Sequence, residues 1–209
     1  MALPQPDTTQ RDAEGADTVV LLPLRSLRDG KQRLRSSLYD EQRAVLITAM
    51  AQRVLDAAHG LPVLVVHDDP EVAEWAIERK AQALRPTESG LNPAVSAGRD
   101  LLASQGFGRI IVAHADLPLA LDLRVMLGDD PISIAPDSVG DGTNVLCVPA
   151  DLPFPFEYGP GSFERHRATA RRFGIEPRIV DAPDLAIDVD DPSDLHVASI
   201  PQLLQQESP

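Results

Sequence analysis

Cysteine is nearly absent: Cys147 is the single one in 209 residues. A domain stapled by disulfides is therefore excluded. Cys147 lies in the apolar run Val145 to Val148 and reads as a small core residue, not an activated thiol. Its solitude fits a reducing compartment. The 13 glycines follow no repeat period, which excludes collagenous and low-complexity chains. No stretch approaches the roughly 18 apolar residues that a membrane-spanning helix needs. Positive charge is in deficit, with 19 basic against 32 acidic residues and a formal net charge of -13. Such a field repels polyanions, so neither nucleic acid nor an anionic membrane is an expected partner. A small phosphorylated substrate, held by a local basic pocket and a metal ion, stays compatible with it.

The signatures of several enzyme classes are missing too. There is no Walker A sequence and no GxGxxG, so simple ATPase and NAD readings lose their usual support. No Ser–His–acid or Cys–His arrangement stands out, and His59, His67, His114, His166 and His196 lack metal-ligand spacing. A catalyst built from this chain has to work mainly by metal ions and positioning. Residues 1–17 contain no apolar signal core and read as a solvated tail, as do residues 201–209. The expectation is a soluble cytoplasmic protein.

What the chain does contain is 43% apolar content in alternating segments of strand and helix character. Thr18 to Leu24, Leu61 to His67 and Arg109 to His114 are continuous apolar runs of strand length, as buried parallel strands are. Strands are also expected at 132–135, 143–148 and 175–180. Helices are expected over 41–58 with Asp40 as N-cap, from Asp69-Pro70 to about Lys80, over 93–105 after Asn92-Pro93, and over 162–173. A last helix opens at Asp191-Pro192, with Asp191 as its N-cap. This alternation predicts one α/β domain over residues 18–200, a mostly parallel mixed sheet flanked by helices. Ligands gather beyond the C-terminal ends of strands in such sheets, so the segments after Leu24 and His67 and around Asp116 and Asp188 are the places to search.

After the first strand, Arg25, Arg28, Lys31, Arg33 and Arg35 place five of the 19 basic residues in eleven positions. A triphosphate clamp and a solvated basic loop account for the cluster equally well. Asp116 ends a strand, where a carboxylate suits Mg²⁺; taken alone it is better explained as a turn residue. In Asp188-Val189-Asp190 the period of two puts both carboxylates on one face and Val189 on the core side. Two carboxylates so crowded call for a cation between them or a proton on one. Gly140–Asn144 and Tyr158–Phe163 are glycine loops that let backbone approach a ligand, and Ser162 at a helix start offers N–H groups to an anion. Two ordinary turns with a serine cap are the alternative.

Six segments in order carry a resemblance: KQRL after the first strand, LNPAV at 91–95, ADLP at 115–118, DGTNVL at 141–146, YGPGSFERH at 158–166 and DVDDPSDL at 188–195. Together they resemble the guanylyltransferases of coenzyme F-420 biosynthesis, over roughly residues 18–197. The resemblance implies a nucleotidyltransferase fold of the GT-A-like, Rossmann-type kind. It implies GTP and phosphoenolpyruvate, 2-phospho-L-lactate or 3-phosphoglycerate as substrates, and Mg²⁺ as cofactor. Asp116, Asp188 and Asp190 correspond to metal ligands, and Thr143, Gly159 and Ser162 to acceptor-phosphate contacts. Lys31 and Arg33, with Arg25, are expected on the triphosphate, and Asn92 of LNPAV near the guanine or ribose. A homodimer is an open expectation. Two positions depart from the pattern: Arg25 stands where lysine is common, and Ser138 where an Asp-Arg pair often precedes the glycine turn.

Overall fold

The computed structural model describes residues 17–196. The expected tails, 1–17 and 201–209, fall outside these residues except for Asp17, whose carbonyl accepts the N–H groups of Gly108 (2.9 Å) and Arg109 (3.3 Å).

Seven strands form one sheet: β1 (Thr18–Pro23), β2 (Val63–Val66), β3 (Gln82–Leu84), β4 (Arg109–Ala113), β5 (Ser133–Pro136), β6 (Thr143–Pro149) and β7 (Arg178–Ile179). Their order is β3-β2-β1-β4-β6-β5-β7. The first four run parallel, whereas β6 runs antiparallel to both β4 and β5, and β5 pairs in parallel with β7. The mostly parallel mixed sheet is therefore as expected, with one reversed strand inside it.

Among the described residues four α-helices cover it: α1 (Asp40–Asp56), α2 (Pro70–Glu78), α3 (Leu91–Ser104) and α4 (Ser162–Arg172). Both faces of β1 are buried, and its side chains alternate between two cores. Val20, Leu22 and Leu24 pack with Ile47, Val54 and Trp75 on the α1 and α2 side. Val19 and Leu21 pack with Val95, Leu102 and Ala170 on the α3 and α4 side. That is why the strand reads as an unbroken apolar run. Gly98 sets the closeness of α3 to the sheet, since a Cβ there would meet Leu21 Cδ1 at 2.6 Å. No helix among the described residues is long and apolar enough to cross a membrane.

Several boundaries differ from the sequence-based expectation. Asp40 is the first residue of α1, not its cap, and pairs with Arg43 at 2.6 Å. α3 starts two residues early behind Gly90, whose φ of 111° asks for glycine; Asn92 is thus inside the first turn. The strand expected at 175–180 shrinks to Arg178–Ile179, and the short β3 has no apolar run to announce it. The last helix is a 3-10 turn, Pro192–His196. Asp191 stands at the expected N-cap position, and Asp194, the third residue of the turn, reaches back to accept the N–H groups of Asp190 (2.8 Å) and Asp191 (2.7 Å).

Candidate active site

The C-terminal ends of β2, β1 and β4 open into a cavity of about 1030 Å³. The start of β6 reaches the same edge because β6 is reversed. Asp116, three residues beyond β4, stands on its floor. The 188–190 segment docks beside it: Val189 donates its N–H to the Asp116 carbonyl at 3.3 Å. The Val189 side chain is fully buried with Leu34, Leu46 and Met50. Alternation then turns Asp188 and Asp190 the other way, and one oxygen from each of Asp116, Asp188 and Asp190 lies within 4.8 Å of the others.

Lys31 enters this cluster from the loop after β1. Its ammonium donates to Asp116 Oδ2 and to Asp190 Oδ1, the latter at 2.6 Å, with the side chain 12% exposed. The backbone of Lys31 is left-handed, φ 53° and ψ 47°, a conformation that costs a non-glycine residue roughly 1–2 kcal/mol. The two ion pairs hold it there. Burial works against the charged ammonium, but Asp116 and Asp190 outweigh it and hold the Lys31 pKa up at about 12. Burial likewise opposes ionisation of Asp116, yet the Lys31 charge keeps that carboxyl below its ordinary range. For Asp188 the Lys31 charge is too weak to win: burial first, then the charges of Asp116 and Asp190, push it up.

Asp116 Oδ1 is buried and has no hydrogen-bond partner among the described residues. A buried carboxylate oxygen without a donor is costly, and this one faces two further carboxylates. The donor set is all oxygen, which is what Mg²⁺ takes. Asn144, buried on β6, steadies the cluster by donating to the Leu185 carbonyl (3.0 Å) and Asp188 Oδ1 (3.5 Å).

The basic cluster is not one clamp. Lys31, Arg25 and Arg33 line the cavity; Arg28 and Arg35 do not. Arg25 pairs with Asp68 at 3.1 Å, Arg33 faces Asp191 at 3.7 Å, and Arg28 is spent on Glu71.

Thr143, Gly159 and Ser162 lie together on the opposite wall. Gly159 (φ 120°) and Gly161 (φ 73°) adopt backbone conformations that need glycine. The loop is tied to the β5–β6 turn through Asp141, which accepts from Gly161 N–H (2.8 Å) and Phe163 N–H (3.0 Å). Ser162 is the first residue of α4, not its cap, and its N–H is taken by the Gly159 carbonyl at 3.0 Å. The N–H groups of Gly161, Ser162 and Phe163 are therefore used internally, and Ser162 Oγ accepts the Thr143 N–H at 2.9 Å. Asn92 is spent elsewhere: its Oδ1 accepts Tyr158 N–H at 2.7 Å, and Leu91, not Asn92, lines the cavity. Ser138 is off the wall; Asp137 beside it shapes the turn by accepting Asp141 N–H (2.9 Å) and Gly142 N–H (2.7 Å).

Asp141, Asn144 and His166 lie in the segments that carry the resemblance, but the sequence alone assigned them no role. The Gly-Asp-Gly triplet around Asp141 was a usable signal, since an aspartate there commonly bonds nearby backbone.

A twisted α/β sheet with carboxylates and a lysine converging on its C-terminal edge defines the nucleotidyltransferase class of fold. A solved structure titled CMP:2-keto-3-deoxy-manno-octonic acid synthetase complexed with CTP superposes with a TM-score of 0.59 at 13% identity, covering 91% of this chain and 99% of that one. The family described as "Guanylyl transferase CofC like" matches residues 18–200, and the chain belongs to that family. Phosphoenolpyruvate guanylyltransferase of Rubrobacter xylanophilus is 38% identical over 184 residues, 84% of this chain and 90% of that protein. A 3-phospho-D-glycerate guanylyltransferase of Phenylobacterium zucineum is 32% identical over 187 residues, 83% of this chain and 86% of that protein.

Proposed function

We propose that this cavity joins GTP to phosphoenolpyruvate or 2-phospho-L-lactate, giving the acid's diphospho-guanosine derivative and pyrophosphate, a step of coenzyme F-420 biosynthesis. The observation that carries the reading is the convergence of Asp116, Asp188 and Asp190 around Lys31, between a basic wall and a hydroxyl-bearing wall. An oxygen of the acceptor's phosphate forms a bond to the α-phosphorus of GTP. The bond from that phosphorus to the bridging oxygen breaks, and its electron pair leaves with pyrophosphate. The attacking oxygen is already anionic at neutral pH, so no side chain has to remove a proton.

Asp116, Asp188 and Asp190 would hold Mg²⁺, with the unpartnered Asp116 Oδ1 as one ligand atom. Bound Mg²⁺ supplies Lewis-acid stabilisation of the charge that builds on the phosphate oxygens. Lys31 gives the triphosphate a buried positive charge, and Arg33 and Arg25 meet it from the rim. Thr143, Gly159 and Ser162 hold the acceptor's phosphate. Asn92 serves the nucleotide side indirectly, by fixing α3 to Tyr158 and setting Leu91 on the wall.

The test is pyrophosphate release. GTP, Mg²⁺ and phosphoenolpyruvate together should release it, with little when any one is omitted; 2-phospho-L-lactate and 3-phosphoglycerate in parallel rank the acceptors. No release with any of the three would overturn the reading.

A further inference from the structure

We propose that His166 is a positioning residue: by donating Nδ1–H to Thr143 Oγ1, it reserves the Thr143 hydroxyl hydrogen for the acceptor's phosphate. The proposal rests on the reading of Thr143 and Ser162 as the acceptor wall.

His166 lies in α4, one turn beyond Ser162, and is fully buried. The backbone N–H of Glu157 points at its Nε2, 3.1 Å away. A backbone amide only donates, so Nε2 must be the bare nitrogen and the ring proton sits on Nδ1. Nδ1 is 3.0 Å from Thr143 Oγ1, which is therefore an acceptor in that bond. Thr143 passes the constraint on: its own N–H donates to Ser162 Oγ at 2.9 Å, so that oxygen too is already accepting. Among the described residues no oxygen accepts either hydroxyl hydrogen, and both residues line the cavity. Two neighbouring hydroxyls, in residues only 1% and 2% exposed, are thus each left with a hydrogen to donate to whatever the cavity holds. A pair of obligatory donors suits a phosphate, whose oxygens only accept, and penalises a ligand that brings donors of its own.

The imidazole is suited to the task because it stays neutral. It is packed against the Tyr158 ring (4.9 Å, edge-on) and the Phe154 ring (5.9 Å), and burial, reinforced by Arg165 and His114, pushes its pKa down to about 4. The carboxylate of Glu157 is engaged by Thr169 Oγ1 at 3.1 Å. A second proton on the ring would face the Glu157 N–H head-on.

Two isosteres divide the histidine's bonds. His166→Asn sets an NH₂ where Nδ1–H stood, and His166→Gln sets a carbonyl oxygen where Nε2 stood. With His166→Gln, the KM for phosphoenolpyruvate should rise about tenfold, as for one lost hydrogen bond to a charged ligand, with the KM for GTP within about twofold. His166→Asn should restore acceptor KM to within about twofold of the parent. In a Thr143→Val background, His166→Gln should have no further effect on acceptor KM. An unchanged acceptor KM in His166→Gln, an Asn variant as impaired as the Gln variant, or additivity with Thr143→Val would overturn the proposal. ¹⁵N NMR of the imidazole in the parent protein, without ligands, gives an arm independent of variant folding: Nδ1 should be protonated and Nε2 bare, and the opposite tautomer overturns the proposal. A parent that turns over none of the acceptors overturns the function, and the proposal with it.

Discussion

Asp188 and Asp190 share a face but not a partner, and this predicts opposite effects of the same substitution. Asp190 holds the Lys31 ammonium at 2.6 Å, whereas Asp188 has only the Asn144 amide at 3.5 Å. Asp188 therefore feels two carboxylates within 4.8 Å and one ammonium that cancels about one of them. One uncompensated like charge at that distance costs roughly 3.5 kcal/mol at an effective dielectric of about 20, and about 0.9 kcal/mol at about 80. Asp188→Asn should then raise metal-free stability by about 1–3 kcal/mol. Asp190→Asn removes a pair whose carboxylate is 52% exposed, so it should lower stability by at most about 1 kcal/mol. The sign with pH follows from the raised carboxyl of Asp188. The folded chain keeps that proton to a higher pH than the unfolded chain, so repulsion costs stability at pH 7. The cost fades as pH falls through the raised value and is gone below the unfolded value of about 3.9. The advantage of Asp188→Asn should accordingly shrink between pH 7 and pH 4. Urea melts in EDTA at several pH values measure this, and repeats with Mg²⁺ and GTP measure the ligand-induced gain, which both variants should largely lose. If the two variants shift in the same direction in EDTA, or both keep the parental gain with Mg²⁺ and GTP, the charge argument and the metal assignment fall together.

Lys31→Met should cut turnover with GTP by at least a hundredfold while leaving acceptor KM within a few-fold, because its charge acts on the triphosphate; parental turnover would return the loop to a solvated role. The same variant should lose about 2–3 kcal/mol in EDTA, because Asp116 is left without its cation, and Asp116→Asn in that background should recover part of the loss. His166 contributes stability above its ordinary pKa of 6.5 that is lost as pH falls toward about 4, at most about 3 kcal/mol. The stability gap between the parent and His166→Asn should narrow over that window, and a gap independent of pH would refute it. Burial holds the Cys147 thiol up at about 11, so alkylation at pH 8 should require denaturant; rapid labelling of the native chain would show the core to be open there.

The central sheet was legible because its strands are buried on both faces, and burial writes itself as apolar runs: β1, β2 and β4 stand where Thr18–Leu24, Leu61–His67 and Arg109–His114 predict them. Strand direction writes nothing comparable. The reversal of β6 is decided by pairing with β4 and β5, contacts that are distant in sequence, so a parallel reading was the natural default. Caps failed for a different reason. Asp40 and Asn92 are good N-cap residues, but both have stronger partners elsewhere, Arg43 and the Tyr158 backbone, whereas Asp191 keeps its place before the last turn with its N–H held by the Asp194 carboxylate. The same competition dispersed the basic cluster. A run of five cations near a strand end looks like one device, yet Asp68, Glu71 and Asp191 each claim an arginine from the facing segments. The alternation of Asp188-Val189-Asp190 survived folding because the buried Val189 fixes the register locally.

Under the proposed function, the reversed strand is also what lets one edge of this sheet serve two substrates. In an all-parallel arrangement the edge beyond β4 would carry only strand ends and the helices that follow them. Because β6 runs the other way, its first residue, Thr143, arrives at the edge where β4 finishes, with His114 N–H bonded to the Asn144 carbonyl at 3.0 Å. Neighbouring strands stand about 4.8 Å apart. The loop after β1, the Asp116 segment after β4 and the start of β6 are therefore spaced in two such steps, roughly 10 Å in all. Strand order thereby sets the order of groups along the edge: cations first, carboxylates in the middle, hydroxyl donors last. In-line displacement needs the attacking and leaving oxygens on opposite sides of the central phosphorus. A row with the carboxylates between the two proposed phosphate-binding walls suits that requirement, and α4 then has only to hold the last donors still.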